Sequence, residues 1–256
     1  MGRRPYSAPE HNGNQSSYYY VSANAVKALE ARVRLYEGRY EEAAEIAESL
    51  IGAGTYKLDK FTTIFDISRP TNSETIFAFS NLNLAESSIN IGDLCHTYAY
   101  VNKGQGRFHM TDKALKLFIT SDNRGSVSIL DVDGVKCMHK YPSGQAGRDP
   151  FIVSRIGEMY LISAEAQGYP AGVERLNDLR KERGLGEVSV SNEEQFINAI
   201  LDERRRELMG ENHIWYDFVR TGKAIERLGI KPYQQLFPIP GKELQLNDLL
   251  KPNPGY

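Results

Sequence analysis

The first helical pattern of the chain constrains its fold most strongly. Small and apolar side chains recur at three- and four-residue steps in two series, Ala25, Ala28, Leu29, Val33, Tyr36 and then Tyr40, Ala43, Ala44, Ala47, Leu50. Gly38 separates the two series, and Gly52 and Gly54 end the second one. Because alanine and glycine let two helices approach closely, residues 22–54 predict an antiparallel helical hairpin.

The stretch LYEGRYEEA, residues 35–43, resembles the turn of a tetratricopeptide repeat. Further helices are predicted at residues 152–167, 171–183, 192–209 and 213–227. Gly184 is a suitable C-terminal stop, and Ser191 with Glu194 has the spacing of a capping box. Four prolines after residue 232 predict an extended or turned tail. The fold class expected is therefore mostly α, built from tetratricopeptide-like helical hairpins.

The middle of the chain, residues 55–150, has a different character. Turn-forming residues are frequent, and residues 74–80 alternate as in a short strand. Residues 135–141 suit another strand, and residues 112–119 suit a short helix capped by Thr111. A long, weakly regular segment inside a compact protein is typical of a functional insertion. We therefore expect an irregular insertion with short strands, and the ligand region within it.

Composition excludes several classes of protein. The 256 residues include 41% hydrophobic and 25% charged residues, which is typical of a globular chain. The formal net charge of -2 argues against a general nucleic-acid binder. No apolar run approaches the roughly 20 residues that span a bilayer, and the first residues lack the features of a signal peptide. The two cysteines, Cys95 and Cys137, are too few for a disulfide framework; a single bridge and two free thiols both remain open.

The sequence contains no motif for a metal, a cofactor or a hydrolytic centre. The five histidines, His11, His96, His109, His139 and His213, show no i,i+4 pair of the kind that binds zinc on a helix. Neither a G-x-S-x-G elbow nor a phosphate-binding P-loop is present, and Gly104-Gln105-Gly106 lacks the third glycine of a dinucleotide fingerprint. We expect no metal and no cofactor.

Two motifs in the C-terminal part could be functional or structural. The run DERRRE, residues 202–207, could bind an anion, but neighbouring arginines point around a helix, and pairing at i,i+3 and i,i+4 explains them better. Trp215 could stack on a sugar. Its helical spacing with Ile214, Phe218 and Val219 favours an anchor in the core.

The insertion supplies the candidate ligand-binding residues. Aromatic and amide side chains are concentrated there: Tyr98, Tyr100, Asn102, Phe108, Asn81 and Asn83. Aromatic faces stack on sugar rings and amides hydrogen-bond to hydroxyl groups, so this combination suits a carbohydrate. The same aromatics could instead anchor the loop to the helical core, and the residues alone favour neither alternative.

Three stretches, in this order, resemble one protein family. Residues 155–166, RIGEMYLISAEA, are similar to its RxAExYLxxAEA helix. Residues 202–208, DERRREL, and 211–223, ENHIWYDFVRTGK, are similar to its ERRRELxxEGxRWxDLxRxGK signature. The segments FPIP at 237–240, ELQLN at 243–247 and NPGY at 253–256 resemble its terminal motif. This is the SusD/RagB family of outer-membrane nutrient-binding lipoproteins of Gram-negative bacteria.

The resemblance implies a function and a location. Family members bind oligosaccharides or other nutrients at the cell surface, partner a TonB-dependent transporter and are not enzymes. A second interpretation is a helical-repeat interaction module that docks on the transporter without binding glycan. The family's members are longer and carry a signal peptide and a lipidated cysteine, so we expect this chain to be the C-terminal portion of one. We expect it to fold imperfectly alone, because a superhelix without its first repeats exposes an uncapped apolar face.

The same resemblance sets the expected domain organisation. Residues 1–256 form a single family domain, with the hairpin at 22–54, the insertion at 55–150, and a C-terminal helical region and extended tail at 151–256. Glycan-binding members often use tryptophan platforms, whereas this insertion contains no tryptophan. Any platform in it must therefore be built from tyrosine and phenylalanine.

Overall fold

The computed structural model describes residues 17–66, 72–79, 109–142 and 149–256. The chain divides into two compact units, one ending at Glu211 and one from Asn212 to Tyr256. In the first unit the longer helices are α1 (Ala23–Tyr36), α2 (Tyr40–Gly52), α6 (Ile156–Gln167), α7 (Val173–Glu182) and α8 (Glu193–Glu207). Its short helices are α3 (Phe61–Ile64), α4 (Asp112–Leu115) and α5 (Gly125–Ser128). The strands are β1 (Thr75–Phe79), β2 (Ile129–Val132), β3 (Val135–Met138) and β4 (Phe151–Arg155).

The first hairpin forms as the small residues predict. Ser22 caps α1, and its hydroxyl accepts a hydrogen bond from the backbone N–H of Ala25 at 3.1 Å. Gly38 has a φ of 75°, a left-handed conformation that glycine adopts without strain, and it turns the chain into α2. The two helices bury alanines between them, and α2 also packs on α6. The predicted mostly α fold of helical hairpins is confirmed.

The second group of helices, α6 to α8, packs around a separate apolar cluster. Its buried members are Leu161, Ala164, Leu176, Leu179, Phe196, Ile200 and Leu208. Gly172 precedes α7, and a Cβ there would lie 1.9 Å from the carbonyl oxygen of Ala164. Because α7 approaches the backbone of α6 this closely, only glycine fits at position 172.

Two small antiparallel sheets lie outside the helices. In one, β1 pairs with β4, and Ala78 lies opposite Ile152 and Phe79 opposite Phe151. In the other, β2 pairs with β3 around the Asp133-Gly134 turn. The strand predicted at 74–80 and the cap predicted at Thr111 are both present, since Thr111 Oγ1 accepts from the Ala114 N–H at 3.3 Å.

Two predicted helix starts in the first unit were wrong. Residues 151–155 form β4 rather than the first turn of α6, because they pair with β1 and Arg155 is still extended, with φ −147° and ψ 159°. Asn192, not Ser191, caps α8, and its side chain accepts from the Gln195 N–H at 2.9 Å. Gln195 in turn accepts from the backbone N–H of Ser191, so the capping residues are shifted by one position.

The second unit contains α9 (Ile214–Arg220), α10 (Ala224–Leu228) and α11 (Gly241–Leu246), with a 3₁₀ turn at Pro232–Gln235. The single helix predicted at 213–227 is wrong, because Gly222 adopts a φ of 68° and divides it. The tail is not purely extended either. Helix α11 begins directly after Pro240 and ends before Pro252, so no proline lies inside it.

Aromatic contacts and side-chain hydrogen bonds organise the second unit. Trp215 is only partly buried and lies against Phe237, with ring centroids 5.1 Å apart, so its predicted place in the core is only partly correct. Asn253 Nδ2 donates to the carbonyl of Phe237, and the Tyr256 hydroxyl donates to the carbonyl of Leu236, each at 2.8 Å. None of the described helices has both the length and the apolar character needed to cross a bilayer.

Helix α1 carries a second apolar stripe on its exposed side. Val26, Leu29 and Val33 repeat at i, i+3 and i+7 and are 55%, 49% and 44% exposed. The three side chains therefore form an exposed apolar surface on α1, although Leu29 and Val33 belong to the series that predicts the packed face of this helix.

Candidate functional site

The predicted ligand-binding residues lie outside the described residues: Tyr98, Tyr100, Asn102, Phe108, Asn81 and Asn83. The structure describes the chain on both sides of this segment. On the N-terminal side, β1 ends at Phe79. On the C-terminal side, the described chain resumes at His109, which forms a β-bridge with Cys137. Met110 N–H then donates to the carbonyl of Lys136 at 2.8 Å. Both flanks of the segment are therefore attached to strands of the first unit.

An aromatic face lies at the start of this segment, on the ribbon formed by β1 and β4. Side chains alternate along β1: Ile76 and Ala78 are buried, Phe77 is half-buried and Phe79 is exposed. Phe79 lies beside its cross-strand partner Phe151, with centroids 6.5 Å apart and ring planes 24° apart. Phe77 meets Phe79 edge to face at 5.1 Å. Three phenyl rings thus share one side of the ribbon.

The opposite side of the ribbon is held in the core. Ala78 and Ile152 belong to a buried cluster with Phe61, Phe65, Met138 and Tyr141, against which Tyr18 and Tyr19 also pack. Arg32 on α1 donates to the carbonyl of Val153 at 2.5 Å and pairs with the buried Glu158. These contacts fix the ribbon backbone, and with it the positions of the rings.

A buried ionic network, centred on the carboxylate of Glu207, lies under the ribbon and at the end of α8. This carboxylate accepts from Arg124 Nη1 at 2.9 Å, Arg155 Nη1 at 2.5 Å and Arg183 Nη2 at 2.9 Å. Glu74 accepts from Arg183 and Arg155 as well. Burial alone would raise the pKa of Glu207, but the three guanidinium groups hold it well below its usual range.

Glu211 is the second carboxylate of this network. Arg155 donates to both of its oxygens, at 3.0 and 2.9 Å, and Lys140 Nζ donates to it at 2.5 Å. Against the effect of burial, Arg155 and Lys140 lower the pKa of Glu211 to about 2. Burial lowers the pKa of Lys140 to about 8. Lys140 also donates to the carbonyls of Glu207 and Met209, so it caps the C-terminal end of α8.

A glycine makes room for the network at the N-terminal end of α6. A Cβ on Gly157 would lie 2.6 Å from Arg155 Nη1 and 2.9 Å from Glu207 Oε1. The charged groups therefore lie directly against the helix backbone. Every member of the network is buried and paired with opposite charge, which is the arrangement of a structural core rather than of a site open to substrate.

Two carboxylates of the charge run at 202–207, those of Glu203 and Glu207, belong to this network. Glu203 accepts from Arg206 at 2.6 Å and from Arg180 at 2.8 Å, and it lies 2.7 Å from Arg124. The structural interpretation of this run is therefore confirmed. The sequence patterns did not predict the network's members from distant parts of the chain, which include Glu74, Asp122, Arg124 and Lys140. Each is a single charged residue in the sequence, and only tertiary packing buries it.

The described residues contain no group of three or more His, Cys, Asp or Glu side chains that could hold a metal ion. His96 and Cys95 lie outside those residues. Cys137 is buried, and burial raises the pKa of its thiol.

Comparison with known proteins gives one consistent family. The SusD family model matches residues 132–235, a region that includes Lys140, Arg155, Arg183, Glu207 and Glu211 of the network. SusD-like protein P25 of Formosa agariphila is 32% identical over 122 residues, which is 40% of this chain and 23% of that protein. SusD-like protein P2 of the same organism is 33% identical over 141 residues, or 44% of this chain and 28% of that protein.

Solved structures with this fold match almost the whole chain. A laminarin-binding SusD-like protein is 26% identical to this chain, with a TM-score of 0.69. The match covers 92% of this chain and 63% of that protein. Surface glycan-binding protein A of Bacteroides thetaiotaomicron, in complex with laminarihexaose, is 20% identical with a TM-score of 0.71, over 92% of this chain and 64% of that one. The chain thus spans about a quarter of its curated relatives and less than two thirds of these structures.

Proposed function

We propose that this chain, whose residues 132–235 match the SusD family model, is a member of the SusD/RagB family that binds oligosaccharide without chemically changing it. The observation that carries this proposal is the match of 92% of the chain to a laminarin-binding protein at 26% identity. A second structure of the same fold holds laminarihexaose. A β-glucan oligosaccharide is therefore the first ligand to test.

The proposed site is in the insertion, with Tyr98, Tyr100 and Phe108 as stacking rings and Asn81, Asn83 and Asn102 as hydrogen-bonding amides. Rings and amides together provide the apolar and polar contacts that a sugar needs. Catalysis would require an accessible acid–base pair, whereas the densest carboxylate cluster among the described residues is buried and paired with arginines.

The proposal also covers location and partner. A protein of this family would act at the surface of the outer membrane and deliver its ligand to a TonB-dependent transporter. A second candidate function is docking on that transporter without glycan binding. The exposed stripe Val26, Leu29 and Val33 favours this alternative, because an apolar helix face is a common protein contact.

Isothermal titration with laminarihexaose, and with other soluble plant, host and bacterial oligosaccharides, tests the function. We expect the wild type to bind and a Tyr98→Ala/Tyr100→Ala variant to bind at least about tenfold more weakly, because each lost ring removes about 0.5–1.5 kcal/mol beyond its buried area. Tyr40 and Tyr216, which are 49% and 54% exposed, provide the matched control.

The outcomes separate the two candidates. The Tyr40→Ala/Tyr216→Ala variant should bind as the wild type does. If no oligosaccharide binds while the transporter of the same organism captures the chain, docking alone is the function. If the tyrosine pair in the insertion and the control pair lower affinity equally, the proposed site is wrong.

A further inference from the structure

We propose that the outer face of the β1–β4 ribbon is a stacking platform for one sugar ring of the bound oligosaccharide, with Phe79 as the contacting ring. This inference rests on the proposed function and adds a site formed by described residues. It differs from the predicted site in the insertion, and its test can fail while carbohydrate binding is retained.

The geometry of the ribbon presents Phe79 to an incoming ligand. Its side chain is 44% exposed although it lies between two other rings. Phe151 lies nearly parallel to it across the strand pair, and Phe77 supports it edge to face. Offset and edge-to-face contacts are the arrangements that aromatic rings prefer. The neighbouring rings thus hold Phe79 in place while leaving part of it open.

The chemistry of this face selects a neutral ligand. Phe77 and Phe79 of β1 and Phe151 of β4 form this face, and the register of the strand pair shifts between Phe77 and Ala78. None of these three described side chains carries a charge, so they offer no group to pair with a phosphate or a carboxylate. A pyranose ring is neutral and has an apolar C–H side that fits a phenyl face.

The platform is also rigid before any ligand arrives. Ala78 is fully buried and Ile152 is 4% exposed, so the reverse side of the ribbon is fixed in the core. Arg32 holds the backbone of β4 through the carbonyl of Val153. A preformed platform loses little conformational entropy on binding, which favours affinity.

Its position along the chain connects it with the proposed site. Phe79 is the last residue of β1, and Asn81 follows two residues later. Two residues of chain span at most about 7 Å. A sugar on Phe79 would therefore lie next to the point of the chain at which the proposed ligand segment begins.

Titration of laminarihexaose into Phe79 variants tests this site. We expect Phe79→Ala and Phe79→Leu to weaken binding about five- to tenfold, because leucine keeps the bulk but not the flat face, and Phe79→Tyr to retain wild-type affinity. The matched control is Phe237→Ala, which removes another phenylalanine, 64% exposed, whose ring lies tilted against that of Trp215 in the second unit. The thermal midpoint of each variant shows whether the fold is kept.

Each result has one meaning. Weaker binding by Phe79→Ala and Phe79→Leu, with normal binding by Phe79→Tyr and Phe237→Ala, supports the platform. Unchanged binding by Phe79→Leu, or an equal loss with Phe237→Ala, overturns the platform and leaves the proposed function standing. If the wild type does not bind laminarihexaose, the same variants are titrated with the oligosaccharide of the panel that it does bind. Absence of wild-type binding to every oligosaccharide of the panel overturns the proposed function itself.

Discussion

Removing the charge of Glu207 should destabilise the protein severely. Its carboxylate is fully buried and shared by Arg124, Arg155 and Arg183, so Glu207→Gln leaves three guanidinium groups without their common partner. Breaking a buried ion pair from one side costs about 3–5 kcal/mol. At about 2–4 °C per kcal/mol for a chain of this size, the thermal midpoint should fall by about 6–20 °C.

Urea unfolding followed by circular dichroism measures this change. The matched control is Glu42→Gln, since Glu42 is 44% exposed and pairs with Arg39 at the surface. An exposed pair contributes about 1 kcal/mol or less, so the control should unfold almost as the wild type does. A free energy of unfolding for Glu207→Gln within about 1 kcal/mol of the wild type would refute the assignment of Glu207 as the centre of the network.

Two further predictions concern acid stability and helix packing. Because the pKa of Glu211 is about 2 in the folded state and 4.5 ordinarily, its stabilising contribution should be complete above about pH 4.5 and be lost as the pH falls toward 2. That contribution is about 3 kcal/mol. Urea unfolding at pH 5.5 and pH 3 measures it, and the free energy of unfolding should depend less on pH in Glu211→Gln than in the wild type. The same pH dependence in both proteins would contradict the lowered pKa of Glu211. Gly172→Ala should lower the thermal midpoint, since its methyl group would meet the carbonyl oxygen of Ala164, at a cost of about 1–3 kcal/mol. The control is Gly241→Ala, because a Cβ at Gly241 has no atom within 4 Å. Equal thermal midpoints for the two variants would argue against close packing at Gly172.

The sequence predicted best those features that depend on local patterns. The small residues of α1 and α2 repeat within a few positions, and Gly38 and Gly184 mark turns by their own conformational freedom. Long-range pairing was less visible. The local pattern wrongly predicts helix at residues 152–155, because their strand partner, β1, lies far earlier in the chain.

The candidate site was predictable only in part for the same reason. The alternation at 74–80 predicted a short strand, but nothing local indicated that Phe151 would lie beside Phe79. The ionic network shows the same limit. The run at 202–207 was correctly interpreted as structural, while Lys140 and Glu74 join it through tertiary contacts that no spacing reveals.

Hydrogen–deuterium exchange of the wild type, with and without saturating oligosaccharide, tests directly whether the chain binds carbohydrate at the proposed segment. We expect slower exchange in residues 75–108, which include β1 and the proposed ligand segment, and unchanged exchange in residues 212–256. Protection confined to 212–256, or no protection with any oligosaccharide, would contradict carbohydrate binding at this site.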